Sequence, residues 1–526
     1  YRRLTFRQGA VGAARFAPDG QTIAYDARWG DAGGRSEIFT VRPDSPESRS
    51  LSFAGSAVLQ GVSRQGELAL LLNAVRPGPN QLAGTLARVP LAGGAPREVL
   101  RDVEAAEWTP DGSALAILRA AEGMDRLEYP IGKVLYQTTG SLEGARFSPA
   151  GDRIAFIHHP LQSDDRGEVM VVDLQGRARS VTRMWGSSSG LAWSPSGEIW
   201  FTAAETGADA ALYAVTPEGR ERLIARVPGR LRLLDLSPDG RLLLSRATAR
   251  WAMIARAPGD TRERDLSWFD WPYVADFTGD GRAVLFFESG QAVGANYRAY
   301  LRRTDGSEPV WLGAGGIGAL SPDGQWAVLT QIDRPEVLQL VPTGPGQPRT
   351  LAPGAVIKRS VPAWFPDGKR VAFGGVEPGR GWRVYVQDLD GAPRAISPEG
   401  MGTETARAVS PDGKLIVALD ARGEPVLLPS EGGEPTPVAG MLPGERVAHW
   451  APQGQLYVFS QTSVPCRVWR LDPASGRREL VREIVPAAMA PLGVRQLFLT
   501  EDASSYVYSF NATVSDLYLA ESGARR

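Results

Sequence analysis

The chain has 526 residues, 60 of them Gly and 40 Pro, and its 58 basic side chains nearly cancel 59 acidic ones, for a net charge of -1. An apolar fraction of 43% excludes a disordered chain, no apolar run reaches the length of about 18 residues that a membrane helix needs, and the charge balance lacks the basic surplus of a dedicated nucleic-acid binder. So much Gly and Pro at ordinary hydrophobicity predicts many short strands joined by tight turns.

The chain opens on Tyr1 rather than Met, which reads as a segment of a longer protein. Its first predicted element is a strand over Arg3-Leu4-Thr5-Phe6. A motif then begins at Phe16-Ala17-Pro18-Asp19-Gly20 and recurs with its last residue at Gly66, Gly112, Gly151, Gly197, Gly240, Gly281, Gly324, Gly368, Gly413, Gly454 and, most weakly, Ala503. From Gly20 to Ala503 is 483 residues in eleven steps, a period of about 44, which matches a propeller blade. Four residues before each motif end stand Phe16, Val62, Trp108, Phe147, Trp193, Leu236, Phe277, Leu320, Trp364, Val409, Trp450 and Leu499, all apolar. Pro presets φ for a turn, Asp caps its own backbone and Gly accepts positive φ, so each motif reverses the chain between two antiparallel strands. A third strand follows, as in Glu37-Ile38-Phe39-Thr40-Val41, and a fourth near Glu98-Val99-Leu100.

Four strands in each of twelve units predict an all-β fold, a β-propeller with twelve four-stranded blades. Two six-bladed rings over 1–271 and 272–526 are the expected arrangement, with one closed twelve-bladed ring as the alternative. Residues 1–8 are expected to supply a strand to the last blade beside Asp516-Leu517-Tyr518-Leu519, hiding two open edges.

Candidate chemistry follows the chain. Loops after the second strands all open on one face, and rigidly held loops concentrate binding residues. They nominate Trp29, Asp31, Arg76, Asn80, His159, Asp164, Asp165, Arg166, Glu288 and Asn296. His158-His159 beside Asp164 and Asp165 raises a metal site, but adjacent strand residues point to opposite faces, so a polar loop with Arg166 paired to an aspartate is the simpler expectation. Gly186-Ser187-Ser188-Ser189-Gly190 has the spacing of a hydrolase elbow. It sits between blades with no following helix, and the chain has only three histidines. Five residues before the motif ends stand Arg15, Glu107, Arg146, Asp235, Asp276 and His449, predicted to line a channel and either bind a polar ligand or pair with one another. Cys466 is alone and reads as a small apolar residue. Asn511-Ala512-Thr513 is a formal glycosylation sequon. No cofactor or metal is expected, and no EF-hand loop is present.

The repeats resemble the PD40, or TolB-type, branch of WD40-like propellers. Leu4-Thr5-Phe6-Arg7-Gln8-Gly9, Asp164-Asp165-Arg166-Gly167, Glu263-Arg264-Asp265-Leu266-Ser267-Trp268, Tyr297-Arg298-Ala299-Tyr300-Leu301-Arg302 and Ser515-Asp516-Leu517-Tyr518-Leu519 further resemble the C-terminal region of bacterial membrane-anchored serine/threonine kinases. That resemblance implies an extracytoplasmic sensor, tethered through a transmembrane helix outside this chain, that binds an unknown small ligand or an envelope protein. The chain itself has no kinase motifs, so catalysis is not expected of it. A TolB-like periplasmic scaffold is the second expectation, and a propeller hydrolase the third.

Overall fold

The computed structural model describes residues 1–30, 35–53, 55–75, 82–161, 164–207, 209–290, 292–442, 444–451, 453–461, 463–487 and 491–521. Among these residues every regular element is a β-strand, and no helix is long and apolar enough to cross a membrane. Most of the sheets are four-stranded and antiparallel with their strands in chain order, as in the blades of a β-propeller.

Two compact units divide the chain. Unit 1 is Tyr1–Ala249 with Thr513–Arg526, and unit 2 is Arg250–Ala512. The division falls between Ala249 and Arg250 rather than at Trp271. Two sixteen-residue strands, Arg241–Arg256 and Tyr506–Glu521, carry the chain out of unit 1 and back. The short strand Arg2–Arg3 pairs with Leu519 and Tyr518, and Leu4 N–H donates to the Leu517 carbonyl at 2.8 Å. The N-terminus thus completes the sheet that begins at Arg230–Leu236, in unit 1. Phe6 lies beyond that strand and is 64% exposed.

In unit 1 the inner strands are Gly9–Phe16, Ala57–Val62, Ala105–Trp108, Ser141–Phe147, Ser187–Trp193 and Arg230–Leu236. Each touches the next, and the last touches the first. In unit 2 the inner strands Pro491–Leu499, Tyr273–Phe277, Gly318–Leu320 and Ala363–Trp364 touch in the same succession, as do Glu445–Trp450 and Pro491–Leu499. The unit 2 sheet around Leu415–Leu419 gains its inner edge from two isolated bridges, Gly402 to Leu419 and Val409 to Ile416.

The repeat motif has a physical cause at every position. Gly20, at φ +65°, donates its N–H to Ala17 O at 2.9 Å. Asp19 Oδ1 accepts the N–H groups of Gln21 at 2.9 Å and Thr22 at 2.7 Å. The apolar position four before the motif end lies between neighbouring sheets. Trp193, Trp364 and Trp450 each donate an indole N–H to the inner strand of the preceding sheet, at Arg146 O (2.9 Å), Ala319 O (3.1 Å) and Ala408 O (3.1 Å). Trp108 packs against Gly61, where an added Cβ would stand 3.0 Å from the indole. The bulk of the core is these sheet-to-sheet layers.

Gly112 sits at φ +73°. Gly112→Ala should cost about 1–2 kcal/mol, the strain of an L-residue in left-handed backbone. Its Cβ would meet the far end of the Gln65 side chain, which can swing away, and would stand 3.2 Å from the Arg64 main-chain nitrogen, a tight but small additional strain. Calorimetry should therefore show a midpoint lowered by a few degrees, with roughly 2–4 °C expected per kcal/mol.

Candidate functional site

Six of the inner strands carry a β-bulge that decides what faces the centre. Register shifts fall between Val11 and Ala14, Glu143 and Arg146, Ser189 and Leu191, Leu233 and Asp235, Val274 and Asp276, and Val447 and His449. Side chains on a regular strand repeat a face every two residues, and one extra residue converts that interval to three. In these strands positions five and eight before the motif end therefore share a face.

In unit 1 the first tier is Arg15, Glu107, Arg146 and Asp235, four residues from four sheets that sequence reasoning nominated together. They converge. Arg146 Nη1 donates to Glu107 Oε2 at 2.8 Å. Arg15 Nη1 donates to Leu234 O at 2.8 Å, and Arg146 Nη2 reaches the same carbonyl at 3.4 Å. Asp235 Oδ2 accepts the N–H of Phe16 at 2.9 Å, joining the last inner strand to the first. Burial, then the Arg146 charge, lowers the Arg15 pKa to about 10, while Asp235 and Glu107 oppose that shift. Burial raises the Glu107 pKa, with Arg146 and Arg15 opposing.

The second tier was missed: Glu104, Glu143 and Arg232, all eight residues before a motif end. Their shared spacing was the available signal. Arg232 Nη2 donates to Glu143 Oε1 at 2.8 Å, spanning the Gly190 strand between them. Burial favours a neutral Glu143, but Arg232 and His159 outweigh it and hold the carboxyl at about 2. Burial, and then the neighbouring Asp125 carboxyl, raises the Glu104 pKa; Asp125 itself is pushed up by burial to about 6.

Unit 2 repeats the scheme with different chemistry. Asp276 is 1% exposed and accepts Phe277 N–H at 2.7 Å, Leu320 N–H at 2.8 Å and Arg407 Nε at 2.8 Å. Arg407 was not foreseen; it stands six residues before Gly413. Both ring nitrogens of His449 are buried without a hydrogen-bond partner among the described residues. Burial and the Arg407 charge lower its pKa to about 3, so the imidazole is neutral. Asp276 and Asp235 occupy the same motif position and do the same work: each accepts the inner-strand N–H of the following sheet. They are structural ties as well as inner-face residues.

Several loop candidates are corrected by burial. Trp29 is 2% exposed and belongs to the core beside Phe39. Glu288 is 0% exposed, and its carboxylate accepts Phe269 N–H at 3.1 Å and Trp271 N–H at 3.0 Å. His159 is buried; its Nδ1 bonds Arg166 O at 2.9 Å, and its Nε2 lies 3.7 Å from Glu143. Asp164 is buried, accepts Arg166 N–H at 2.8 Å and stands 3.7 Å from the Arg166 guanidinium. Asp165 accepts Ser188 N–H through its carbonyl at 3.0 Å. Trp29 is thus core, the buried Glu288, His159 and Asp164 side chains anchor their own loops, and Asp165 is half-buried. Asn296 is exposed and donates to Asp333 at 2.8 Å. Asp31, Arg76 and Asn80 lie outside the described residues.

The remaining motifs are structural. Ser188 lies within the strand Ser187–Trp193, not at a strand-to-helix elbow. His158 contacts Thr138 Oγ1 at 3.1 Å and Glu168 at 3.2 Å, while His159 turns to the opposite face. No group of three or more His, Cys, Asp or Glu side chains suits a metal ion among the described residues. Asn511 of the sequon is buried and accepts Arg495 Nε at 2.7 Å. Burial pushes the Cys466 thiol up to about 12.

No family model and no curated protein matches the chain. Among solved structures it is similar to one assigned to TolB from Agrobacterium tumefaciens, at 17% identity over 50% of this chain and 99% of that one, with a TM-score of 0.38. A GH74 enzyme of Niastella koreensis is 12% identical over 98% of this chain and 91% of its own, with a TM-score of 0.36. An oligogalacturonate lyase of Vibrio parahaemolyticus is 13% identical over 62% and 89%, with a TM-score of 0.34. The propeller architecture rests on this chain's own sheets, and these similarities assign no activity.

Proposed function

We propose that this chain is a non-catalytic recognition propeller whose binding centre is the charged inner tier of unit 1. One observation carries the reading. Arg15, Glu107, Arg146 and Asp235 come from four different sheets yet lie within one another's electrostatic field at a half-buried centre. Burying charge is costly unless it is paired or used, and folding alone could have filled these positions with Ala or Gly, as it does at Gly61 and Ala192. The absence of an assembled nucleophile and base in the sequence motifs favours binding over turnover. The role of extracytoplasmic sensor for a membrane-anchored kinase rests on the sequence resemblance alone, and the TolB-like scaffold is the second reading.

A thermal-shift screen of small polar metabolites tests the proposal. At a ligand concentration of 100 times Kd, binding stabilises the folded state by about 2.7 kcal/mol. At least one compound should raise the wild-type midpoint and leave Arg15→Met unmoved. Equal shifts in both proteins, or consumption of any compound by the wild type, would overturn the assignment.

A further inference from the structure

The inner tier of unit 1 holds two opposite charges that do not satisfy each other. Both hydrogen bonds of Arg15 leave Nη1 and go to main-chain carbonyls, Ala14 O and Leu234 O, each at 2.8 Å. Its Nε is buried without a partner, and it forms no ion pair among the described residues. Asp235 uses only Oδ2, for Phe16 N–H, and likewise forms no ion pair among them. These two residues sit on adjacent inner strands and feel each other's charge. Glu107 and Arg146 do pair, at 2.8 Å, but Glu107 commits only Oε2, and the Nε of Arg146 is also buried without a partner.

The charge count restricts what fits. Two guanidinium groups and two carboxylates cancel, the neighbouring Arg232–Glu143 pair cancels as well, and the Glu104 side chain is engaged by Asp125 rather than by this centre. A bound anion would leave this centre with one uncompensated negative charge, and a bound cation with one positive. Either is expensive away from water. A ligand that is neutral overall but carries both charges avoids that cost and meets the unused groups with charge-assisted hydrogen bonds. From this balance, and resting on the recognition reading above, we infer that the centre of unit 1 binds a small zwitterion of the free α-amino acid class. Its carboxylate meets the Arg15 guanidinium, and its ammonium meets Asp235 Oδ1 with Glu107 Oε1 alongside. The acceptors are carboxylate oxygens, which call for N–H donors. A primary ammonium supplies them and a quaternary one does not.

Titration calorimetry of the full chain with the standard L-α-amino acids tests the class. Each amino acid is paired with its N-acetyl derivative, which keeps only the carboxylate, and its methyl ester, which keeps only the ammonium. At least one free amino acid should bind, and both of its blocked forms should bind at least about 30-fold more weakly, the usual effect of removing one partner of a buried charge pair. Asp235→Asn retains an acceptor for Phe16 N–H and so preserves the strand closure. It should lose affinity for the free amino acid by a similar factor while its unliganded melting midpoint stays close to wild type. If an N-acetyl or esterified form binds as tightly as its parent, the zwitterion assignment is wrong. If no amino acid binds but another compound does so in an Arg15-dependent way, the ligand class fails and the recognition reading survives. If nothing binds in an Arg15-dependent way, both fail.

Discussion

Arg407→Met should destabilise unit 2 by about 3–5 kcal/mol, the cost of leaving a buried carboxylate without its cation. Asp276 is 1% exposed, and Arg407 supplies its only ion pair among the described residues. Burial raises the Asp276 pKa, and Arg407 is the chief group opposing that rise. Once the guanidinium is gone, the carboxylate must either take up a proton or stay charged in an apolar setting, and both weaken the fold. The loss should extend past the pair, because Asp276 also holds Leu320 N–H of the next sheet and Arg407 donates to Phe277 O. The double variant Arg407→Met with Asp276→Asn removes the charge but keeps an acceptor, and should recover at least half of the loss. Differential scanning calorimetry of the two variants gives the answer. A loss below about 1 kcal/mol in the single variant would show that the pair is solvated and contributes as little as a surface bridge.

Unfolding free energy should fall by roughly 3 kcal/mol as pH rises from about 4.5 to 7, through one residue. Burial pushes the Glu288 carboxyl from its ordinary value of 4.5 up to about 7, against the two N–H groups that it accepts from Phe269 and Trp271. The sign follows from proton counting. Below pH 4.5 the carboxyl is protonated in both states and stability is unaffected. Between the two values the unfolded chain releases the proton and the folded chain keeps it, so rising pH favours unfolding. Above 7 both are ionised and the loss is complete. Glu288→Gln removes the titration and should flatten this part of the profile, measured as calorimetric midpoints across pH. The segment it holds carries Trp268 and Phe269, 39% and 42% exposed. Hydrogen exchange at the Phe269 and Trp271 amides should report the same variant locally. An unchanged pH profile in the variant would assign the dependence to other carboxyls.

The inner tier was legible because a single spacing generated it. Counting five residues back from each motif end nominates Arg15, Glu107, Arg146, Asp235, Asp276 and His449, and the fold brings the first four together in unit 1. The second tier was invisible for a definite reason. An alternating strand would put the next inner residue at position seven, and only the bulge moves it to eight, where Glu143 and Arg232 stand. The loop candidates fared worse. Trp29, His159, Asp164 and Glu288 were chosen for residue type and loop position, but burial cannot be read from either. A polar side chain at the end of a strand serves equally well to bind a ligand or to anchor its own loop, and here Glu288 and Asp164 do the latter.

The sequence by itself determined the blade. Pro-Asp-Gly turns, the apolar residue four positions earlier and the period near 44 are local and repeated, and local chemistry dictates them before any long-range contact forms. Only the tertiary structure decided where the chain leaves one unit and returns to it. Arg241–Arg256 and Tyr506–Glu521 are each long enough for two sheets, and nothing in their residues marks the point of transfer. The tertiary structure also decided that Asp235 and Asp276 tie one sheet to the next. That role depends on an N–H supplied by a strand far away in sequence, at Phe16 for Asp235 and at Leu320 for Asp276. A spacing can place a carboxylate on an inner face, but its partner exists only once the sheets have closed around it.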